Sequence, residues 1–178
     1  AIEPLPQRRR AFDALPHCAA AVGTDEPELA RRVITDVARL LGERRSAGRK
    51  PGDPDVVLTI GDLGRLRRWL ADDAESSTLE QLATIGADGP AHGINLVCVA
   101  TRGDDLGPVV RLAGDRLIGT LSDAADRRRL GVPAPGPADR HAGRCWSVDI
   151  ERRVQLATPP ESIEAEIARL ALPDRTPS

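Results

Sequence analysis

The sequence predicts an α/β fold: a mainly parallel sheet flanked by helices, with a C-terminal β-hairpin. DVVLTIGDL, from Asp55 to Leu63, holds an apolar, β-branched run, Val56 to Ile60, ended by Gly61 and Asp62. INLVCVA, from Ile94 to Ala100, is a second such run. Apolar runs of this length, bounded by turn residues, read as strands buried on both faces, as parallel strands are. Stretches with helical spacing alternate with these runs, and that alternation is the pattern of an α/β sheet.

Each element has its own signal. Residues 1–13 read as irregular, because Pro4 and Pro6 oppose a helix and Arg8 to Arg10 form a solvated charge run. Cys18 to Val22 reads as a short strand. Thr24 to Arg45 is the clearest helix. Asp25 and Glu28 have capping-box spacing, and Pro27 suits a first turn. Leu29, Val33, Ile34, Val37, Leu40 and Leu41 form one apolar stripe. Arg32 with Asp36, and Arg39 with Glu43, are outward i,i+4 pairs. Ser46 to Pro54 is a loop.

After the Asp55 to Ile60 strand, Leu63 to Leu70 is helical, with Trp69 as a packing residue. Ala71 to Ser76 is an acidic loop. Ser77 and Glu80 form a capping box that opens a helix through Leu79, Leu82 and Ile85, stopping at Asp88-Gly89. The Ile94 to Ala100 strand leads to Thr101 and Arg102. Asp104 to Gly114 suits a short helix, with Asp104 and Asp105 as N-caps. Arg116 to Leu121 reads as a third buried strand, and Ser122 caps a helix ending at Leu130-Gly131. Val132 to Gly143 is a Pro/Gly-rich loop. Arg144 to Val148 and Arg153 to Ala157 form a hairpin. Pro159 and Pro160 break the chain before a helix over Ser162 to Leu170 and a frayed tail. The organisation is thus one domain: a lead-in (1–13), a core (14–157), and a C-terminal helix with its tail (158–178).

Composition narrows the function. The net charge of -2 gives no reason to expect general nucleic-acid binding, and 2% aromatic residues argue against a base-stacking platform. The chain contains no methionine, which implies a processed chain or a segment of a longer protein. Lys50 is the only lysine, in an Arg- and Ala-rich composition typical of a GC-rich genome. No apolar run reaches the ~18 residues of a membrane span. Cys18, Cys98 and Cys145 lack metal-ligand spacing and read as buried, reduced thiols of a cytosolic protein. His17, beside Pro16, is a ligand or an acid/base group, or else a structural residue, as a single His beside a proline at a strand entrance more often is.

Asp62 is the carboxylate at a strand end. Open α/β sheets bind ligands there, although Asp and Gly also serve simply as turn residues. The chain has no P-loop: Lys50 lies in AGRKPG, with proline after it and no strand before it. Rossmann, zinc-protease and nucleophile-elbow motifs are absent too.

Taken in order, the segments resemble the motor domain of FtsK/SpoIIIE-type ATPases, closest to the EccC-like ATPases of type VII secretion. ALPHCAAAV and DEPELARRVITDVARLLGERR resemble the family's LPH strand and Arg-rich helix. DVVLTIGDL resembles its Walker B strand. LEQLATIGADGPAHGINLVCVATR, DRLIGTLSDAADRRRLGV and GRCWSVDIERRVQLA resemble the stretches that follow, up to a closing hairpin. The match runs from about Ala14 to Ala157.

This resemblance implies a RecA-like P-loop NTPase core whose Walker A region is missing here. Gly61 falls on the Mg²⁺-binding Asp position, and Asp62 on the second acidic position. A one-residue slip would make Asp62 the metal ligand. Thr101 takes the sensor-like position beside the γ-phosphate, and Arg102 follows it. Pro90 and Asn95 replace the family's arginine and histidine. The resemblance therefore implies catalytic roles for Asp62, Thr101 and Arg102. ATP and Mg²⁺ are implied as cofactors only if the full domain is active.

Without the P-loop most phosphate binding is lost. The expectation is a degenerate or partial module acting in secretion through partner or substrate binding and assembly. The alternative is an ATP-hydrolysing motor module, moving DNA or protein, whose P-loop lies upstream. Implied partners are further copies or neighbouring ATPase modules and a secreted protein, with DNA less favoured. The expected location is cytoplasmic, at the inner membrane face only through the parent protein.

Overall fold

A computed structural model describes residues 1–70, 75–103, 105, 114–136, 141–157, 165, 166 and 169. Its centre is a parallel four-stranded sheet in the order β2-β1-β3-β4. The strands are β1 (Ile2–Glu3), β2 (Val22–Gly23), β3 (Val56–Ile60) and β4 (Ile94–Cys98). β3 and β4 pair along their whole length, Val56 opposite Ile94 through Ile60 opposite Cys98. β1 joins at Ile2, which lies opposite both Val22 and Ile60.

Helices α2 (Pro27–Ala47), α3 (Leu63–Leu70) and α4 (Glu75–Asp88) cover one face of this sheet. Ile2, Val22, Leu58, Ile60 and Ile94 project into that layer. They meet Ala30, Ile34 and Leu41 of α2, Leu63, Leu66 and Leu70 of α3, and Leu82 and Ile85 of α4. Arg44 closes the bottom of this core. Buried at the end of α2, it donates to the carbonyls of His92 at 2.9 Å and Pro54 at 2.9 Å. One guanidinium thus ties a helix to the entrances of β3 and β4.

The other face corrects the expectation of strands buried on both sides. Side chains alternate along a strand, and Val57 is 55% exposed and Val97 49% exposed. Thr59, Asn95 and Val99 share that face. Helix α1 (Pro6–Asp13) packs against β1 and β2. A continuous apolar run reads the same whether its second face is covered or bare.

Further corrections have local causes. The lead-in is not irregular: it holds β1 and α1, because Pro6 occupies the first turn of α1, where no N–H is needed. Only Val22–Gly23 pairs in the expected Cys18 to Val22 strand; Cys18 N instead donates to Leu15 O in a turn. The α2 capping box does not form. Glu26 is the N-cap residue, its carboxylate accepting from Gly23 N at 2.6 Å, while Glu28 pairs with Arg31. Leu29 leaves the stripe and is exposed, and the Arg39–Glu43 pair forms as expected. Helix α4 starts before Ser77, so Ser77 is no cap. Trp69, expected to pack, is 48% exposed on α3.

The third strand is also reassigned. β5 (Leu117–Ile118) belongs to a separate antiparallel sheet, ordered β5-β6-β7 with β6 (Arg144–Ser147) and β7 (Arg152–Gln155). The hairpin is as expected, with Cys145 opposite Val154. Between them runs α5 (Ala124–Leu130), capped by Asp123, which accepts from Ala125 N at 2.7 Å, and not by Ser122. The expected helix over Asp104 to Gly114 and most of the helix over Ser162 to Leu170 lie outside the described residues.

Candidate functional site

Parallel strands end together, and their carboxyl ends form the edge where α/β proteins hold ligands. Here Gly61 N donates to Ile2 O at 2.9 Å, and Leu63 N donates to Val99 O at 2.8 Å. These bonds pin the turn after β3 between the ends of β1 and β4. Asp62 sits in the middle of that turn. Its Oδ1 accepts from Arg65 N at 2.8 Å, which makes it the cap of α3. A carboxylate there satisfies a free N–H and faces the positive end of the helix dipole.

Gly61 has no side chain, and the space for one is taken. A Cβ built on it would lie 2.5 Å from Glu3 Oε2 and 2.8 Å from Pro4 Cδ. Glu3 ends β1 on the face opposite Ile2. It is 5% exposed, and its Oε2 is buried without a hydrogen-bond partner. Burial pushes the Glu3 carboxyl above its usual pKa, while Arg8 and the chain's amino terminus pull it down. Such a cost favours the neutral acid.

Asp105 is a further acid at this edge. A Cβ on Gly64 would overlap its carboxylate, Arg67 Nη1 donates to its carbonyl at 3.0 Å, and Arg68 lies 3.7 Å from its Oδ1. Sequence reading missed Glu3 because a two-residue strand has no periodicity to detect. The signal available was only an acid beside prolines, Glu3-Pro4, in a lead-in without pattern.

Thr101 and Arg102 follow β4 and are exposed. They share the sheet edge with Asp62, since Val99 bonds to both Ile60 and Leu63. No side-chain hydrogen bond or ion pair joins the three among the described residues. His17 is exposed in the turn after α1. The cysteines are free thiols, each partly exposed where burial was expected, and the partial burial of Cys98 pushes it up to about 12.

Among the described residues the donors do not assemble a resident metal site: no group of three or more His, Cys, Asp or Glu side chains could hold an ion. Asp62 spends one oxygen on its cap, and Glu3 Oε2 is buried.

Known structures share this architecture. EccC (ATPases 2 and 3) of Thermomonospora curvata, in complex with a signal sequence peptide, superposes with a TM-score of 0.67 at 19% identity over 96% of this chain. EssC (ATPases 2 and 3) from Geobacillus thermodenitrificans gives 0.73 at 16% identity over 95% of this chain. The cytoplasmic domain of the type VII secretion ATPase EccC of Thermomonospora curvata gives 0.63 at 20% identity over 96%. The chain spans 35%, 36% and 22% of those chains, respectively. No protein-family model matches it, and no curated protein matches it in sequence. The fold is therefore that of the EccC and EssC ATPase domains, as the sequence motifs implied. Among the described residues no helix is long and apolar enough to cross a membrane.

Proposed function

We propose that this chain is a degenerate or partial ATPase module of the type VII secretion kind, acting by binding a partner or substrate and by assembly. One observation carries the reading: the space where a metal-holding aspartate would project from position 61 is filled by the Glu3 carboxylate and Pro4. Asp62, the remaining acid of the turn, is used to cap α3. Phosphoryl transfer depends on positioning and charge stabilisation; the sequence has no P-loop, and among the described residues no metal-holding set is present. Val57, Val97 and Val99, each about half exposed on the second face of β3 and β4, also support a role in assembly, since exposed apolar patches mark contact surfaces.

In this reading the partners are further copies or neighbouring ATPase modules, with a secreted protein as substrate. The net charge of -2 makes DNA the less favoured cargo. The module works in the cytoplasm and reaches the membrane only through other parts of its parent.

A second reading, a working motor whose P-loop lies upstream, is favoured by the shared sheet edge of Asp62, Thr101 and Arg102. In it, Asp62 would hold Mg²⁺ with ATP. Calorimetry with Mg-ATP decides between the two, on this chain and on a form extended upstream by ~100 residues, a usual domain fraction. The proposal expects no binding to either. Binding by the extended form that Asp62→Ala weakens would establish the motor.

A further inference from the structure

The parallel sheet ends at β4, and its last edge is open. Among the described residues β4 pairs with β3 alone. Val56 N donates to Gly93 O, and Val99 N donates to Ile60 O. Backbone groups alternate in direction along a strand. Asn95, Val97 and Val99 therefore bond to β3, while Leu96 and Cys98 turn their N–H and C=O away from it. Solvent reaches both sides of this strand. From Asn95 to Ala100 no residue is fully buried, although Leu96 and Cys98 pack against the helix-covered core. On β3, by contrast, Leu58 and Ile60 are buried.

Proteins protect such an edge with charges, proline or a bulge, because a free row of N–H and C=O groups recruits another strand. Those devices are missing here. Ile94 to Ala100 is seven residues without a charge, a proline or a glycine. β3 and β4 pair residue for residue, with no bulge. The second face is apolar as well: Val97 and Val99 are about half exposed, as is Val57 on β3. Thr59, opposite Val97, and Asn95, opposite Val57, complete it. None of these five is charged, so a charged partner has nothing to complement. A neutral run suits its own copy, because a two-fold axis sets each of its residues against another neutral one.

We infer that β4 is a dimerisation edge: it pairs antiparallel with β4 of a second copy about a two-fold axis at Val97, and two four-stranded sheets become one. Val97 is the midpoint of Ile94 to Ala100, so this axis lays the whole run on itself. Val97 faces its own copy in a non-hydrogen-bonded pair. Leu96 then exchanges both backbone bonds with Cys98 of the partner subunit, which satisfies the groups that β3 leaves free. The axis stands perpendicular to the sheet, so the valine faces become continuous and both helix layers stay on the other side. The inference deepens the assembly part of the proposed function and rests on that part alone.

Sedimentation of the chain over a range of concentrations should show a monomer–dimer equilibrium and nothing larger, since a two-fold contact closes on itself. Val97→Lys puts like charges on the axis. It should raise the concentration of half-dimerisation about tenfold or more, with an unchanged circular dichroism spectrum. Disulfide trapping tests the register in a background of Cys18→Ser, Cys98→Ala and Cys145→Ser. Val97→Cys should cross-link under mild oxidation, because the Cα atoms of such a pair lie ~4.5 Å apart. Val57→Cys should not, because three strand spacings of ~4.8 Å separate it from its copy. A chain that stays monomeric would assign the edge to a different partner and overturn the inference. A species larger than a dimer, a folded Val97→Lys protein that dimerises as before, or cross-linking through Val57 would overturn it too. None of these results bears on Mg-ATP binding, so the dimer and the degenerate-module reading fail separately.

Discussion

The two faces of the parallel sheet carry similar residues and have different fates. Leu58 and Ile60 on one face are buried under α2, α3 and α4, while Val57, one position away, is 55% exposed. Both are equally apolar in sequence. The difference teaches that residue type set the strand, and that the neighbouring layers decided which side of it became core. On that second face Glu3, at the end of β1, is buried, whereas Val57 and Val97 are about half exposed.

Substitutions on the two faces should separate sharply. Leu58→Ala removes packing within the closed core and should cost roughly 2–5 kcal/mol, whereas Val57→Ala should stay within ~0.5 kcal/mol, as exposed positions do. Urea unfolding of both variants gives the contrast directly. Equal costs would mean that the second face is covered in solution. Arg44→Ala should fall next, at roughly 2–3 kcal/mol, because its charged hydrogen bonds to buried carbonyls are lost together; the same titration measures it.

The smallest effect sits at the boundary and depends on pH. Glu3 has a raised pKa in the folded chain, because burial disfavours its charged form. Below its unfolded value, near 4.5, the acid is neutral in both states and folding is not penalised. As pH rises through the raised folded value, the folded state must bury a charge, and stability falls. Glu3→Gln should therefore raise the melting temperature at pH 7 and have a smaller effect at pH 4. A variant less stable than the parent at pH 7 would show that the Glu3 charge is held by a favourable partner.

Much of this fold was legible in advance because its long elements carry period. The Val56 to Ile60 and Ile94 to Cys98 runs, the α2 stripe and the closing hairpin all announced themselves, and their order implied the fold that EccC and EssC share. The parts that were not legible depend on contacts between distant segments. Two-residue strands such as β1 have no pattern, and the expected cap of α2 was displaced when Glu26 turned to Gly23 and Arg9. Asp62 could be placed at a strand end from sequence, but its use as the α3 cap could not. Nor could the filling of the Gly61 space by Glu3, since those residues meet only once β1 lies beside β3.

That meeting is the centre of the account, and a double-mutant cycle tests it most directly. Gly61→Asp, Glu3→Ala and the pair together are compared by urea unfolding. Overfilling a packed site costs roughly 1–3 kcal/mol, so Gly61→Asp alone should destabilise by that amount, and Glu3→Ala should recover much of the loss. If Gly61→Asp folds with unchanged stability beside an intact Glu3, the position is open to a metal-binding side chain, and the closed strand-end site is wrong.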